Sequence, residues 1–121
     1  MDQTFPKSER LTGKKSIQEL FTKSSSVFLF PFKILYTFPE TSTEKYPRVL
    51  ISVPKRRFSK AVHRNKLKRR IREAYRLHKS AIFTSDTNPD RLAIIYVGKE
   101  ISDFHFLEKK LTAVLQKIGK K

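Results

Sequence analysis

The chemistry of this 121-residue chain is concentrated in one run of cations. Between Lys55 and Lys79 lie twelve basic residues: Lys55, Arg56, Arg57, Lys60, Arg64, Lys66, Lys68, Arg69, Arg70, Arg72, Arg76 and Lys79. Only Glu73 opposes them, so the segment carries +11 of the chain's formal +16. A charge this large repels itself and exceeds what solubility requires, which points to a polyanionic partner. Arg dominates the inner positions, where a planar guanidinium can grip a phosphate through two parallel hydrogen bonds. Such contacts give affinity and position without reading sequence. Asn65 stands among the cations. Its amide can serve a phosphate, a 2′-hydroxyl or a metal-bound water, or simply make a local structural hydrogen bond.

No other constellation competes. The carboxylates are scattered, and none has the spacing of a two-metal nuclease. Asp86 and Asp90 fall in a turn-rich stretch and read as turn formers or caps. His63, His78 and His105 do not form a ligand set: His63 lies in the basic run, His78 reads as half-buried, and His105 as a surface residue. With no cysteine, thiolate chemistry, disulfides and Cys-based zinc sites are excluded. Three glycines make no phosphate-cradling loop. No protein side chain is therefore assigned as catalytic and no metal site is expected; any chemistry must come from a partner.

The elements that must hold this row follow from periodicity. The length fits one domain, residues 1–121, with residues 1–15 as an arm. Ser16 is expected to cap a helix to about Lys23, with Glu19 completing a capping box and Ile17, Leu20 and Phe21 on one face. Val27 to Phe38 reads as one strand with Pro31 at an edge or bulge, and Pro39 to Pro47 as a hairpin loop leading to a strand over Arg48 to Val53. Ser59 is expected to cap a long helix from Lys60 to Ser80. On it Leu67, Ile71, Ala74, Tyr75 and His78 cluster on one side; Asn65, Lys68, Arg69, Arg72 and Arg76, with Lys79 beside them, cluster on the adjacent side. After a loop over Ala81 to Asp90, Leu92 to Val97 reads as a central buried strand. Ser102 is expected to cap a last helix, Asp103 to Ile118, with a stripe of Phe104, Leu107, Leu111, Val114, Leu115 and Ile118. The order α-β-β-α-β-α gives an α+β domain, helices on a small mixed sheet.

The run AVHRNKLKRRIREAYR, Ala61 to Arg76, closely resembles the signature helix of the bacterial ribonuclease P protein subunit, A-V-x-R-N-(R/K)-x-K-R-x-x-R-(E/Q). Arg64, Asn65, Lys66, Lys68, Arg69, Arg72 and Glu73 all fit it. The likeness extends over most of the chain, through Arg10-Leu11, Phe21, Ile34-Leu35-Tyr36, Lys99 after an apolar strand, and the final amphipathic helix. It implies a left-handed βαβ crossover of the kind seen in the second domain of ribosomal protein S5, an exception to the usual handedness. It also implies a ribonucleoprotein endonuclease in which the RNA, with Mg²⁺, cuts the 5′ leader from precursor tRNA. By position, Lys55, Arg64, Asn65, Lys66, Lys68, Arg69 and Arg72 are expected to face the catalytic RNA. Arg56, Arg57, Lys60 and Arg76 join them from the charge pattern. Ile17, Phe21, Tyr36 and Lys99 are expected to line a leader cleft, where aromatic rings stack on unpaired bases; Ile17 replaces a common aromatic there, and for Phe21 and Tyr36 the alternative is packing in the core, wholly or by one edge. Val53-Pro54-Lys55-Arg56-Arg57-Phe58 departs from the family's usual approach to the helix, leaving Phe58 as either core or RNA contact.

The expected partners are the catalytic RNA, bound 1:1, and precursor tRNA, in the cytoplasm and without a membrane; the Mg²⁺ is expected on the RNA. A structural RNA-binding protein such as a ribosomal protein would share the charge but need no leader cleft. A DNA-binding transcription factor lacks support, because phosphate-gripping side chains crowd the helix where base readers are needed. A peripheral membrane helix ranks last, because its apolar face is committed to a sheet.

Overall fold

The computed structural model describes residues 5, 9–11, 13–38, 46–83 and 88–118. Its elements are α1 (Lys14–Lys23), β1 (Ser25–Leu29), β2 (Phe32–Thr37), β3 (Arg48–Ser52), α2 (Ala61–Ile82), β4 (Arg91–Tyr96) and α3 (Phe104–Ile118). The four strands form one mixed sheet in the order β1-β2-β4-β3. β1–β2 and β2–β4 are antiparallel, and β3–β4 is parallel. A parallel neighbour requires a crossover, and α2 supplies it.

Several expected boundaries move. The strand expected over Val27 to Phe38 folds back on itself at Phe30-Pro31, pairing Leu29 with Phe32 and Ser25 with Tyr36. Pro31 thus sits in a hairpin turn, and the sheet gains a strand. The stretch from Pro39 to Pro47 cannot be a hairpin between neighbouring strands, since β4 lies between β2 and β3; residues 39–45 of it, like residues 84–87 with Asp86, fall outside the described residues. Helix α1 begins at Lys14, two residues before Ser16, because Gly13 turns the chain into it at φ 96°, a conformation that glycine accepts freely. Glu19 bonds Arg91 (3.1 Å) instead of closing a capping box. Lys60, not Ser59, occupies the cap position of α2, without a side-chain cap bond. For α3 the cap is Asp103, whose carboxylate accepts the Phe106 N–H at 2.8 Å, while Ser102 bonds the Tyr96 hydroxyl.

The sheet has two covered faces. On one, Phe32, Ile34 and Tyr36 of β2, with Leu92, Ile94 and Tyr96 of β4, pack against α2 and α3 in the main core. On the other, Leu35 and Ala93 meet Leu20 of α1 and Leu11, with Ile17, Leu50 and Ile95 at the margin. The period-two alternation of strands thus assigns each residue of β2 and β4 to one helical layer. Asp90 ties the strand ends together: its carboxylate accepts from the Thr37 hydroxyl, its N–H donates to Thr37 O, and its carbonyl accepts the Arg48 N–H.

Not all of residues 1–15 form an arm: Lys14 and Lys15 are helical, and Leu11 N–H donates to Val49 O at 2.8 Å along the outer edge of β3. Phe5 meets the Tyr75 ring edge-on at 5.5 Å. Glu9 reaches Lys79, whose ammonium is fully buried, 2.5 Å from the carboxylate and 4.5 Å from the centre of the Tyr46 ring. Burying an ammonium is tolerable only with such partners, and breaking a buried pair costs about 3–5 kcal/mol. We therefore expect Glu9→Ala to lower unfolding free energy by about 3 kcal/mol in urea titrations. Glu9→Ala with Lys79→Met should recover most of that loss. A single-variant effect below about 0.5 kcal/mol, the range of ordinary surface substitutions, would show that the pair is not needed.

A candidate nucleic-acid interface

Helix α2 buries Leu67, Ile71, Ala74 and Tyr75. Each large apolar side chain on that stripe contributes about 1.5–3 kcal/mol. Like charges at i and i+4, such as Lys68 with Arg72, cost only a few tenths each. Burial therefore wins, and the helix can carry an uncompensated cation row. At 1.5 Å per residue its 22 residues make a rod of about 33 Å.

The twelve cations divide by partner. Lys55, Arg56, Arg57, Lys60, Lys66, Arg69 and Arg72 are exposed and Lys68 is half-buried. The side chains of these eight have no hydrogen-bond or ion-pair partner among the described residues. Asn65 is exposed in the same row. The remaining four are engaged within the protein. Arg64 donates to the carbonyls of Phe58 (2.7 Å) and Ser59 (2.9 Å), pinning the approach to the helix. Arg70 donates to Ser102 O (2.6 Å), tying α2 to the start of α3. Arg76 pairs with Glu73 one turn away, and its guanidinium holds the Glu73 carboxyl below the usual carboxylate range. Lys79 is the buried partner of Glu9, not a member of the surface row. Helical angle alone puts Lys79 beside Arg72 and Arg76; a contact 70 residues away in sequence removes it.

His78 bonds Glu108 of α3 at 2.9 Å and is half-buried, and His105 is exposed, both as the pattern suggested. Phe58 resolves as core: it is 6% exposed and packs on Tyr96, ring centres 6.0 Å apart. Among the described residues no three His, Cys, Asp or Glu side chains converge to hold a metal ion. No described helix is long and apolar enough to cross a membrane.

The residues expected in one cleft do not share one. Ile17 and Phe21 lie one turn apart on α1, Ile17 half-buried against the smaller core and Phe21 49% exposed. Tyr36 is 8% exposed and belongs to the opposite layer, in the main core, with its ring edge-on to Phe38 at 5.6 Å. Strand alternation forces this, since Leu35 is the residue that faces α1. Lys99 lies past the C-terminal end of β4, in a separate groove with Phe30 and Phe106, whereas α1 ends where β1 begins beside Tyr36. The open part of the α1 layer carries instead Phe28, 57% exposed, and its cross-strand partner Lys33. Reading residues 27–38 as one strand hid both, because the hairpin turn resets which residues face which side.

The matches with known proteins cover nearly the whole of this architecture. The family model described as ribonuclease P matches residues 5–119. A ribonuclease P protein component of Porphyromonas gingivalis is 33% identical over 118 residues, covering 93% of this chain and 85% of that protein. That of Dictyoglomus turgidum is 34% identical over 117 residues, covering 95% and 92%. Among solved structures, the Staphylococcus aureus RNase P protein aligns with a TM-score of 0.74 at 29% identity, covering 94% of this chain and 97% of its own. The Thermotoga maritima RNase P protein aligns at 0.72 and 30% identity, covering 91% and 97%. The four-stranded mixed sheet, the crossover helix with its R-N-K-x-K-R-x-x-R spacing and these end-to-end matches together make this chain a member of the ribonuclease P protein family.

Proposed function

We propose that this chain is the protein subunit of a ribonuclease P ribonucleoprotein, bound 1:1 to a catalytic RNA in the cytoplasm, and that it assists 5′ maturation of precursor tRNA. The observation that carries this reading is the outer face of α2. Lys66, Lys68, Arg69 and Arg72 project from a helix locked in place by its buried stripe, Lys55, Arg56, Arg57 and Lys60 lead into it, and none of these eight side chains has a partner among the described residues. A rigid row of free guanidinium and ammonium groups is complementary to folded RNA, where phosphates are dense. Arg64 and Arg70 act differently: they hold the helix's approach and its neighbour α3, and so position the row.

The reaction itself is assigned to the RNA. The Mg²⁺ it uses is assigned to the RNA with it. The 5′ leader is assigned to the open α1 layer, with Phe21 and Phe28 as stacking surfaces, Lys33 for phosphate, and Ile17 as the aliphatic side of the cleft.

Three outcomes test this reading. Arg69→Ala with Arg72→Ala should reduce the log–log salt slope of binding to the catalytic RNA by about 0.7–0.9 per lost phosphate contact, with an unchanged melting temperature. Arg64→Ala should instead lower the melting temperature, because it frees two carbonyls. An unchanged slope and affinity in the double variant would remove the phosphate assignment. Rigorously RNA-free protein should not cleave precursor tRNA with or without Mg²⁺, and addition of the cognate catalytic RNA should restore cleavage. Cleavage by the protein alone contradicts the division of labour.

For the cleft, Phe21→Ala should weaken the holoenzyme's affinity for precursor tRNA by about tenfold and leave mature tRNA nearly unaffected. Tyr36→Ala should act through the core, lowering the melting temperature and weakening both substrates equally. Selective loss of precursor binding in the Tyr36 variant, with normal stability, would reverse the assignment of the two faces.

A further inference from the structure

At the end of the sheet opposite the α1–β1 junction lies a groove of about 840 Å³. Its walls are the β1–β2 turn, the loop after β4 and the first turn of α3. We propose that this groove takes one unpaired RNA nucleotide, its base stacked on Phe106 or Phe30 and its phosphates held by Arg57 and Lys99. The inference rests on the assignment of this chain as an RNA-bound subunit, and it adds a second nucleotide site distinct from the α1 layer.

Exposed aromatic rings carry the argument. Phe30 is 56% exposed and Phe106 37%, with Ile101 at 36% beside them. Large apolar side chains left open in a concave site mark a place where something binds. Lys110 lies 5.8 Å from the centre of the Phe106 ring, and Arg57 and Lys99 line the same groove. Aromatic faces interleaved with cations suit a single-stranded nucleotide, whose base stacks while its phosphate is neutralised. An apolar peptide would use the rings but leave Arg57 and Lys99 desolvated without partners. Arg57 also continues Lys55 and Arg56 at the approach to α2, so the groove is contiguous with the basic surface.

The groove is built rather than incidental. Tyr96 lines it, and its hydroxyl is committed to Glu100 O (2.5 Å) and Ser102 Oγ (2.9 Å). Gly98 lies so close that a Cβ there would come within 2.6 Å of that hydroxyl. Two acidic residues, Glu100 and Asp103, also line the site. The Asp103 carboxylate is already engaged, accepting the Phe106 N–H at 2.8 Å. The negative charge of Glu100 opposes a second phosphate, which favours a single nucleotide as the occupant.

The base can come from the catalytic RNA or from the precursor's leader, and one set of titrations separates them. The chain has no tryptophan, so Phe106→Trp places a single indole in the groove. Its fluorescence is followed as the catalytic RNA is added to the protein, then as precursor tRNA or mature tRNA is added to the holoenzyme, with gel shifts reporting binding in parallel. Quenching by the catalytic RNA assigns the base to that RNA; quenching by precursor tRNA alone assigns it to the leader. Complete binding without quenching in every titration overturns the proposal and leaves the subunit reading intact. Failure of the wild-type protein to bind the catalytic RNA overturns both. By gel shift, the double variant Phe30→Ala, Phe106→Leu should bind about tenfold more weakly the RNA that quenches the indole, at unchanged melting temperature, whereas Phe106→Trp retains affinity. Undiminished affinity in the double variant contradicts stacking.

Discussion

The fold depends on a single constraint: α2 must keep one stripe dry and the adjacent one charged. Moving a guanidinium from water into a low-dielectric core costs far more than the repulsion along the row, so the helix can take only one rotation about its axis. That rotation is enforced by Leu67, Ile71, Ala74 and Tyr75 against the sheet and α3. Where a cation of the segment does go inside, as Lys79 does, the chain brings Glu9 and the Tyr46 ring to meet it. The N-terminal stretch of chain along β3 is therefore tied to the far end of α2.

The same constraint orders the internal arginines. Arg64 fixes residues 58 and 59 where the chain enters α2, and Arg70 fixes the start of α3 through Ser102. Asp103 then caps α3, and Ser102 also holds the Tyr96 hydroxyl. This connected set runs from the basic helix to the groove around Lys99, so the aromatic site and the cation row are positioned by one network. A basic segment that reads as a uniform surface is in fact divided into cations with no side-chain partner among the described residues and cations engaged within the protein.

How far the sequence reveals this depends on the range of the interactions involved. The buried stripes of α2 and α3 and the central position of β4 were legible, because helical and strand periods are local properties. The exposed row from Asn65 to Arg72 followed from the same geometry. The β1–β2 hairpin was not legible: residues on both sides of Phe30-Pro31 are apolar, so the pattern has no polar break to mark the turn. That miss concealed that Phe28 and Lys33 pair on one face; Tyr36 was placed in the cleft by the resemblance alone, and strand alternation puts it in the opposite layer. The burial of Lys79 was not legible for a different reason, since nothing in a run of cations distinguishes one that meets a carboxylate brought from 70 residues away. Glycine at position 13 did carry a signal for the start of α1, overshadowed by the apparent capping box at Ser16.

The central claim is that the outer face of α2 lies on the catalytic RNA. The chain has no cysteine, so a hydroxyl-radical source can be tethered at a single introduced thiol. Lys66→Cys places it on the exposed face of α2, and Gln116→Cys on the exposed face of α3. In the assembled ribonucleoprotein, cleavage of the catalytic RNA should be strong and confined to a few neighbouring strands from position 66, and weak from position 116. Equal or stronger cleavage from position 116 would contradict the account.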